Sequence, residues 1–140
     1  MQFDHNNKIV ALCAQGMGLE GEGKKEEAAK LFQQAWNEAT NDFERFTSAH
    51  YVARHQENIT DKLKWDKTAL ACALKIKDEN MKGTYPSLYL NIGKCYEDLG
   101  DCISAKENYD LALSFAPFLG DDGYGKMLKG GILNGIARVS

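Results

Sequence analysis

Five residues recur at one spacing. Gly16, Gly23, Ala28, Phe32 and Ala35 stand 77 residues before Gly93, Gly100, Ala105, Tyr109 and Ala112. Four small positions and one aromatic position repeating in step point to an internal duplication rather than to composition. Such a pattern suits helices in close contact, because small residues let two backbones approach and an aromatic ring fills the space beside them. The stretches between these marks agree. Apolar residues return every three or four positions, the helix period, and alternating strand patterns are sparse. Turn residues punctuate the chain at Gly21-Glu22-Gly23, Asn41-Asp42, Thr60-Asp61, Gly83-Thr84, Gly100-Asp101 and Gly120-Asp121-Asp122-Gly123.

These marks predict seven helices, over about 5–21, 24–39, 42–57, 61–77, 86–99, 102–115 and 122–138. Asp101 and Thr60 are the expected N-caps of two of them, since a short oxygen-bearing side chain accepts the unpaired amides of a first turn. Pro86 suits the opening of another, where a missing N–H costs nothing.

The run Tyr89-Leu90-Asn91-Ile92-Gly93-Lys94-Cys95-Tyr96, followed by Gly100, Ala105, Tyr109, Ala112 and Pro117, resembles the tetratricopeptide (TPR) pattern of helix pairs about 34 residues long. Tyr89 takes the Trp slot, Ile92 the Leu slot and Tyr109 the Phe slot. The earlier copy departs from it: Gln15 replaces the Leu, Leu19 the second aromatic and Thr40 the proline. A degenerate middle copy has Ala53 in the Gly slot and Gln56 in the aromatic slot. It places Trp65, Ala69 and Cys72 opposite Ala105, Tyr109 and Ala112, so large and small have exchanged places at Trp65 and Ala69. Extra length falls near Thr40–Ser48 and Asp78–Tyr85, at the joints.

The resemblance implies an all-α, right-handed solenoid of three antiparallel helix pairs in one domain, with repeats over about 9–42, 43–84 and 86–119. A terminal helix over about 122–138 would cap it. Its apolar stripe of Tyr124, Met127, Leu128, Ile132, Leu133, Ile136 and Val139 keeps helical spacing, although Gly125, Gly130, Gly131 and Gly135 weaken it. Self-association through this helix, giving a homodimer, is the sharper alternative to a plain cap.

Composition narrows the partners. A net charge of −3 argues against a general nucleic-acid binder. Lys62, Lys64, Lys67, Lys75 and Lys77 make the fourth helix basic, but Asp61, Asp66 and Asp78 dilute it, and a solvated face is expected. The start of the chain does not read as a secretory signal, and no stretch approaches the ~18–20 apolar residues of a membrane span. A cytoplasmic protein with reduced cysteines is expected. Cys13, Cys72, Cys95 and Cys102 form no Cys-x-x-Cys pair, so they read as small buried hydrophobes and not as metal ligands.

Gly16-Met17-Gly18-Leu19-Glu20-Gly21 matches G-x-G-x-x-G, and Lys8–Leu12 before it reads like a strand. A dinucleotide or S-adenosylmethionine loop needs that strand–loop–helix setting, followed by alternating strands and helices. Gly18–Lys24 also resembles a P-loop, but Lys25 stands where Ser or Thr belongs. Helix pairs follow instead, and the repeat already accounts for Gly16 and Gly23. An enzyme using this loop is therefore the alternative, and no cofactor is expected. His50 and His55, five apart, point about 140° away from each other on a helix and would not share a metal. His5 stands alone, and no catalytic constellation is evident.

The resemblance implies a non-enzymatic module whose first helices line a surface for an extended peptide or partner protein. The inward rows would be Cys13, Met17 and Glu20, then His50, Arg54 and Glu57, then Leu90, Lys94 and Glu97. The TPR domains that clamp acidic chaperone C-termini place an Asn where Asn91 stands, and hold carboxylates with Lys and Arg. Arg54, Lys94 and Lys126, with Lys129, would supply charge here. His50 and Arg54 depart from that clamp's Lys and Asn, and Glu57 and Glu97 would repel an acidic ligand. The expected groove is Met17, His50, Arg54, Asn91, Lys94 and Lys126, with pH sensitivity at His50.

Overall fold

The computed structural model describes residues 6–140. The described residues are all-α: seven α-helices, two short 3-10 turns and no strand. The helices are α1 (Lys8–Gly21), α2 (Lys25–Glu38), α3 (Asp42–Arg54), α4 (Ile59–Leu74), α5 (Tyr85–Asp98), α6 (Cys102–Ser114) and α7 (Gly123–Val139). The seven expected helices are all present, with ends moved by a few residues. The first begins at Lys8 with Asn7 as its cap, and expectations for residues 1–5, His5 among them, lie outside the described residues. Contacts divide the chain into two compact units, Met1–Ile76 and Lys77–Ser140.

In the first unit each helix packs on the next, and α1 also packs on α3. Ile9, Cys13, Ala28, Phe32, Ala35 and Val52 form the core, edged by Leu12, Leu19, Trp36, Tyr51 and Trp65. Phe32 is fully buried beneath Gly16: a Cβ on Gly16 would stand 2.7 Å from the ring's Cζ. Tyr51 stacks on Phe32 at 4.9 Å. Ala69 is fully buried, while Trp65 sets its edge against Trp36 at 5.1 Å.

Caps fix the helix starts. Asn41 accepts from the Glu44 amide, while the Glu44 carboxylate accepts from the Thr40 amide and from Asn7 Nδ2, a variation on the capping box. Burial works to raise the Glu44 pKa, but these hydrogen bonds outweigh it and the net shift is downward. Helix α4 starts at Ile59, and its cap is Asn58, which accepts from the Asp61 amide at 2.8 Å. Thr60, the expected cap, lies inside the first turn. Both residue types cap well, and it is Asn58 that has the extended backbone a cap needs.

The second unit opens with a 3-10 turn, Glu79–Gly83, which takes up the extra length expected at 78–85 and buries Met81 completely. The extra length expected at 40–48 makes no loop, because α3 already begins at Asp42. Helices α5, α6 and α7 all pack on one another. Tyr109 is fully buried with its ring wedged between two glycines: a Cβ would stand 2.8 Å from it at Gly93 and 2.7 Å at Gly135. Asp101 caps α6 as expected, accepting from the Ser104 amide.

The duplication extends to the turns. Gly23 and Gly100 have φ of +79° and +83°, a left-handed backbone that side chains resist. Each helix ends in the same pair of hydrogen bonds: Gly23 N–H to Glu20 O and Lys24 N–H to Leu19 O, then Gly100 N–H to Glu97 O and Asp101 N–H to Tyr96 O.

Candidate functional site

In the first unit, α1 and α3 bring Met17, Glu20, His50 and Arg54 onto neighbouring helix faces. Arg54 Nη2 donates to Glu20 Oε1 at 2.5 Å, and its guanidinium lies 4.8 Å from the Tyr51 ring centroid. His55 Nε2 meets the other Glu20 oxygen at 2.7 Å. Glu20 thus ties the end of α1 to the end of α3. Arg54 is engaged within the fold, although its side chain remains 44% exposed on its outer edge.

His50 sets its ring edge against Tyr51 at 5.4 Å. Burial first, and the Arg54 charge second, push its pKa below 6.5. Any pH sensitivity at His50 is therefore moved to the acid side of its ordinary range. Met17 is exposed one turn before Glu20. Cys13, expected in this row, is buried, and burial raises its thiol pKa to about 11. It belongs to the core because it lies one turn before Gly16, on the side that meets α2.

In the second unit, Asn91 is half-buried on α5 and Lys94 exposed one turn later. Lys94 Nζ donates to Asp98 at 2.9 Å and lies 4.0 Å from Glu97. Lys126 is exposed at the start of α7, and Gly131 of α7 passes Leu90 of α5. Glu97 is not the free repelling charge expected of it. Arg138 reaches it through Nε at 2.9 Å and Nη2 at 3.1 Å, and the Tyr109 hydroxyl donates to it at 2.7 Å. Arg138 and Tyr109 hold its carboxyl down at about 2.

Sequence reasoning missed these two carboxylate ties. Glu20 and Glu97 stand 77 residues apart, in step with the other repeated pairs, and that was the available signal. Their partners were hidden because Arg54 and Arg138 lie 34 and 41 residues from them in sequence. The exposed Cys102 is a further departure from the expectation of four buried thiols, since it opens α6 directly after its cap.

The glycine run makes no loop. Gly16, Gly18 and Gly21 lie within α1, and Lys8–Leu12 forms its first turns, not a strand. Among the described residues, no helix is long and apolar enough to cross a membrane, and no three potential ligands gather as a metal site would require. No protein-family model, curated protein or solved structure matches this chain.

Proposed function

We propose that the chain is a non-enzymatic protein- or peptide-binding module of the cytoplasm, a TPR-like right-handed solenoid that binds through the faces of its first helices. The observation that carries this reading is the α1–α3 face. Met17 is 47% exposed on α1, one turn before the Glu20 that holds Arg54, whose side chain is itself 44% exposed. This face rests on a frame held by the Glu20 tie and the Phe32–Tyr51 stack. A rigid frame presenting one apolar and several polar groups favours recognition, since little ordering is left to be done on binding. Asn91, Lys94 and Lys126 offer amide and ammonium groups to the same kind of ligand. Arg54 supplies a planar donor edge suited to carboxylates or backbone carbonyls. No cofactor enters the reading.

Selection of a random-peptide display library against the whole chain tests it. The expected result is an enriched peptide family whose binding falls at least tenfold with Met17→Glu. Helicity in that variant should stay unchanged, because Met17 touches solvent. Arg54→Glu is a poor probe, since it sets a second carboxylate against Glu20. No enriched family, or binding indifferent to Met17→Glu, contradicts the reading.

A further inference from the structure

We propose that the outward face of α4 docks an acidic amphipathic helix of a partner protein. Thr60, Lys64, Lys67, Ala71 and Leu74 stand four, three, four and three residues apart, which puts them on one stripe of the helix. Lys64, Lys67 and Ala71 are exposed, and Leu74 is 50% exposed. Helix α4 turns its other side to α3, with Asp66, Ala69, Cys72 and Ala73 buried. From Thr60 to Ala71 the stripe, flanked by Leu63 and Thr68, lines an open groove of about 480 Å³.

In the sequence Asp61, Asp66 and Asp78 dilute this basic helix, and the structure takes all three off the stripe. Asp66 is buried, with Lys62 at 2.9 Å. Asp61 lies about 100° round the helix from Thr60, and its Oδ2 accepts from Asn58 Nδ2 at 2.8 Å. Asp78 stands beyond the end of α4 and caps the following 3-10 turn, accepting from the Asn80 amide at 2.9 Å. Among the described residues no carboxylate lines the groove, although the whole chain carries a net charge of −3.

The occupant follows from charge and shape. Two ammonium groups one turn apart match carboxylates one turn apart on a facing helix. Ala71 is small and stands one turn from Lys67 and one turn from Leu74, so the stripe has a hole for one aliphatic side chain. The methylene stems of the lysines add apolar surface beside Leu63. From Thr60 to Leu74 the stripe is about 21 Å long, room for a four-turn helix. A nucleic-acid base would find no aromatic ring to stack on in this lining. The net charge of −3 also repels a duplex or an anionic bilayer. The face shares no residue with the one carrying Met17, His50 and Arg54, so either can fail alone.

Random-peptide display against the full chain carrying Met17→Glu, which silences the α1–α3 face, tests this. The expected result is an enriched family with Asp or Glu and an aliphatic residue one helical turn apart. Its binding should weaken as salt rises and fall about tenfold with Lys64→Glu and Lys67→Glu together. Lys30→Glu with Lys106→Glu, both exposed, changes the net charge equally and should leave binding within about twofold. Should the α4 pair misfold, Ala71→Leu answers the question: it fills the hole with every lysine in place and should also weaken the peptide about tenfold. No enriched family, a family without carboxylates, binding indifferent to the α4 variants, or equal loss in the Lys30 and Lys106 pair overturns the proposal. Tighter binding of oligothymidylate or of phosphatidylserine vesicles than of the peptide overturns it too.

Discussion

Gly16 and Gly18 sit two residues apart in α1, and alanine should stabilise the fold at Gly18 but not at Gly16. Both lie inside a helix, where Gly→Ala gains up to ~1 kcal/mol of propensity. A Cβ at Gly18 meets nothing within 4 Å, so the gain should appear in full. A Cβ at Gly16 stands 2.7 Å from Phe32 Cζ, inside van der Waals contact. The ring cannot step aside: it is fully buried, stacked on Tyr51 at 4.9 Å and flanked by His55 at 5.3 Å. Overpacking of this kind costs ~1–3 kcal/mol, which cancels or exceeds the propensity gain. The two variants should therefore differ by ~1–3 kcal/mol, and for a unit of this size their melting temperatures should separate by at least about 4 °C. Trp36 and Trp65, the protein's two tryptophans, both lie in the first unit, so their fluorescence during thermal or urea unfolding reports the relevant transition. Equal stabilisation by both substitutions would refute the close approach of α1 and α2 at Phe32.

Three further outcomes follow from the geometry. Asn58→Ala should cost about 1 kcal/mol as a lost cap, while Thr60→Ala should be nearly neutral, as read by urea denaturation. Glu97 has a folded pKa of about 2 against an ordinary value of 4.5, so its contribution is complete above 4.5 and is lost as pH falls from 4.5 towards 2. Glu97→Gln should therefore flatten the acid side of the stability profile in that window, and an unchanged profile would remove the Arg138–Glu97 tie. Cys102 alone should react rapidly with a thiol reagent in the native chain, with Cys13, Cys72 and Cys95 reacting only on unfolding, as counted by mass spectrometry.

What the sequence revealed was whatever depends on neighbours in a helix or on repeated steps. Gly16 with Phe32 and Gly93 with Tyr109 were readable because a small residue and a ring returned together, and the structure puts each pair in contact. Asp101 was readable as a cap because Gly100 marks the end of the preceding helix. Thr60 and Asn58 could not be separated by residue type, since either oxygen caps and only the local backbone decides. The carboxylate ties were hidden for a different reason. Glu20, Arg54, Glu97 and Arg138 look like solvated charges one at a time, and only helix packing sets them within reach. The same packing takes Arg54 partly out of the expected groove, turns Cys13 inward and neutralises Glu97.

Backbone amide NMR of the full chain, titrated with the most enriched library peptide, bears most directly on binding through the first-helix faces. The expected result is saturable shift changes centred on Met17, His50 and Arg54 of α1 and α3, or on Asn91, Lys94 and Lys126 of α5 and α7. Shifts confined to the second helices α2, α4 and α6 would contradict it, as would saturable shifts at Gly16–Lys24 on adding nucleotide or S-adenosylmethionine.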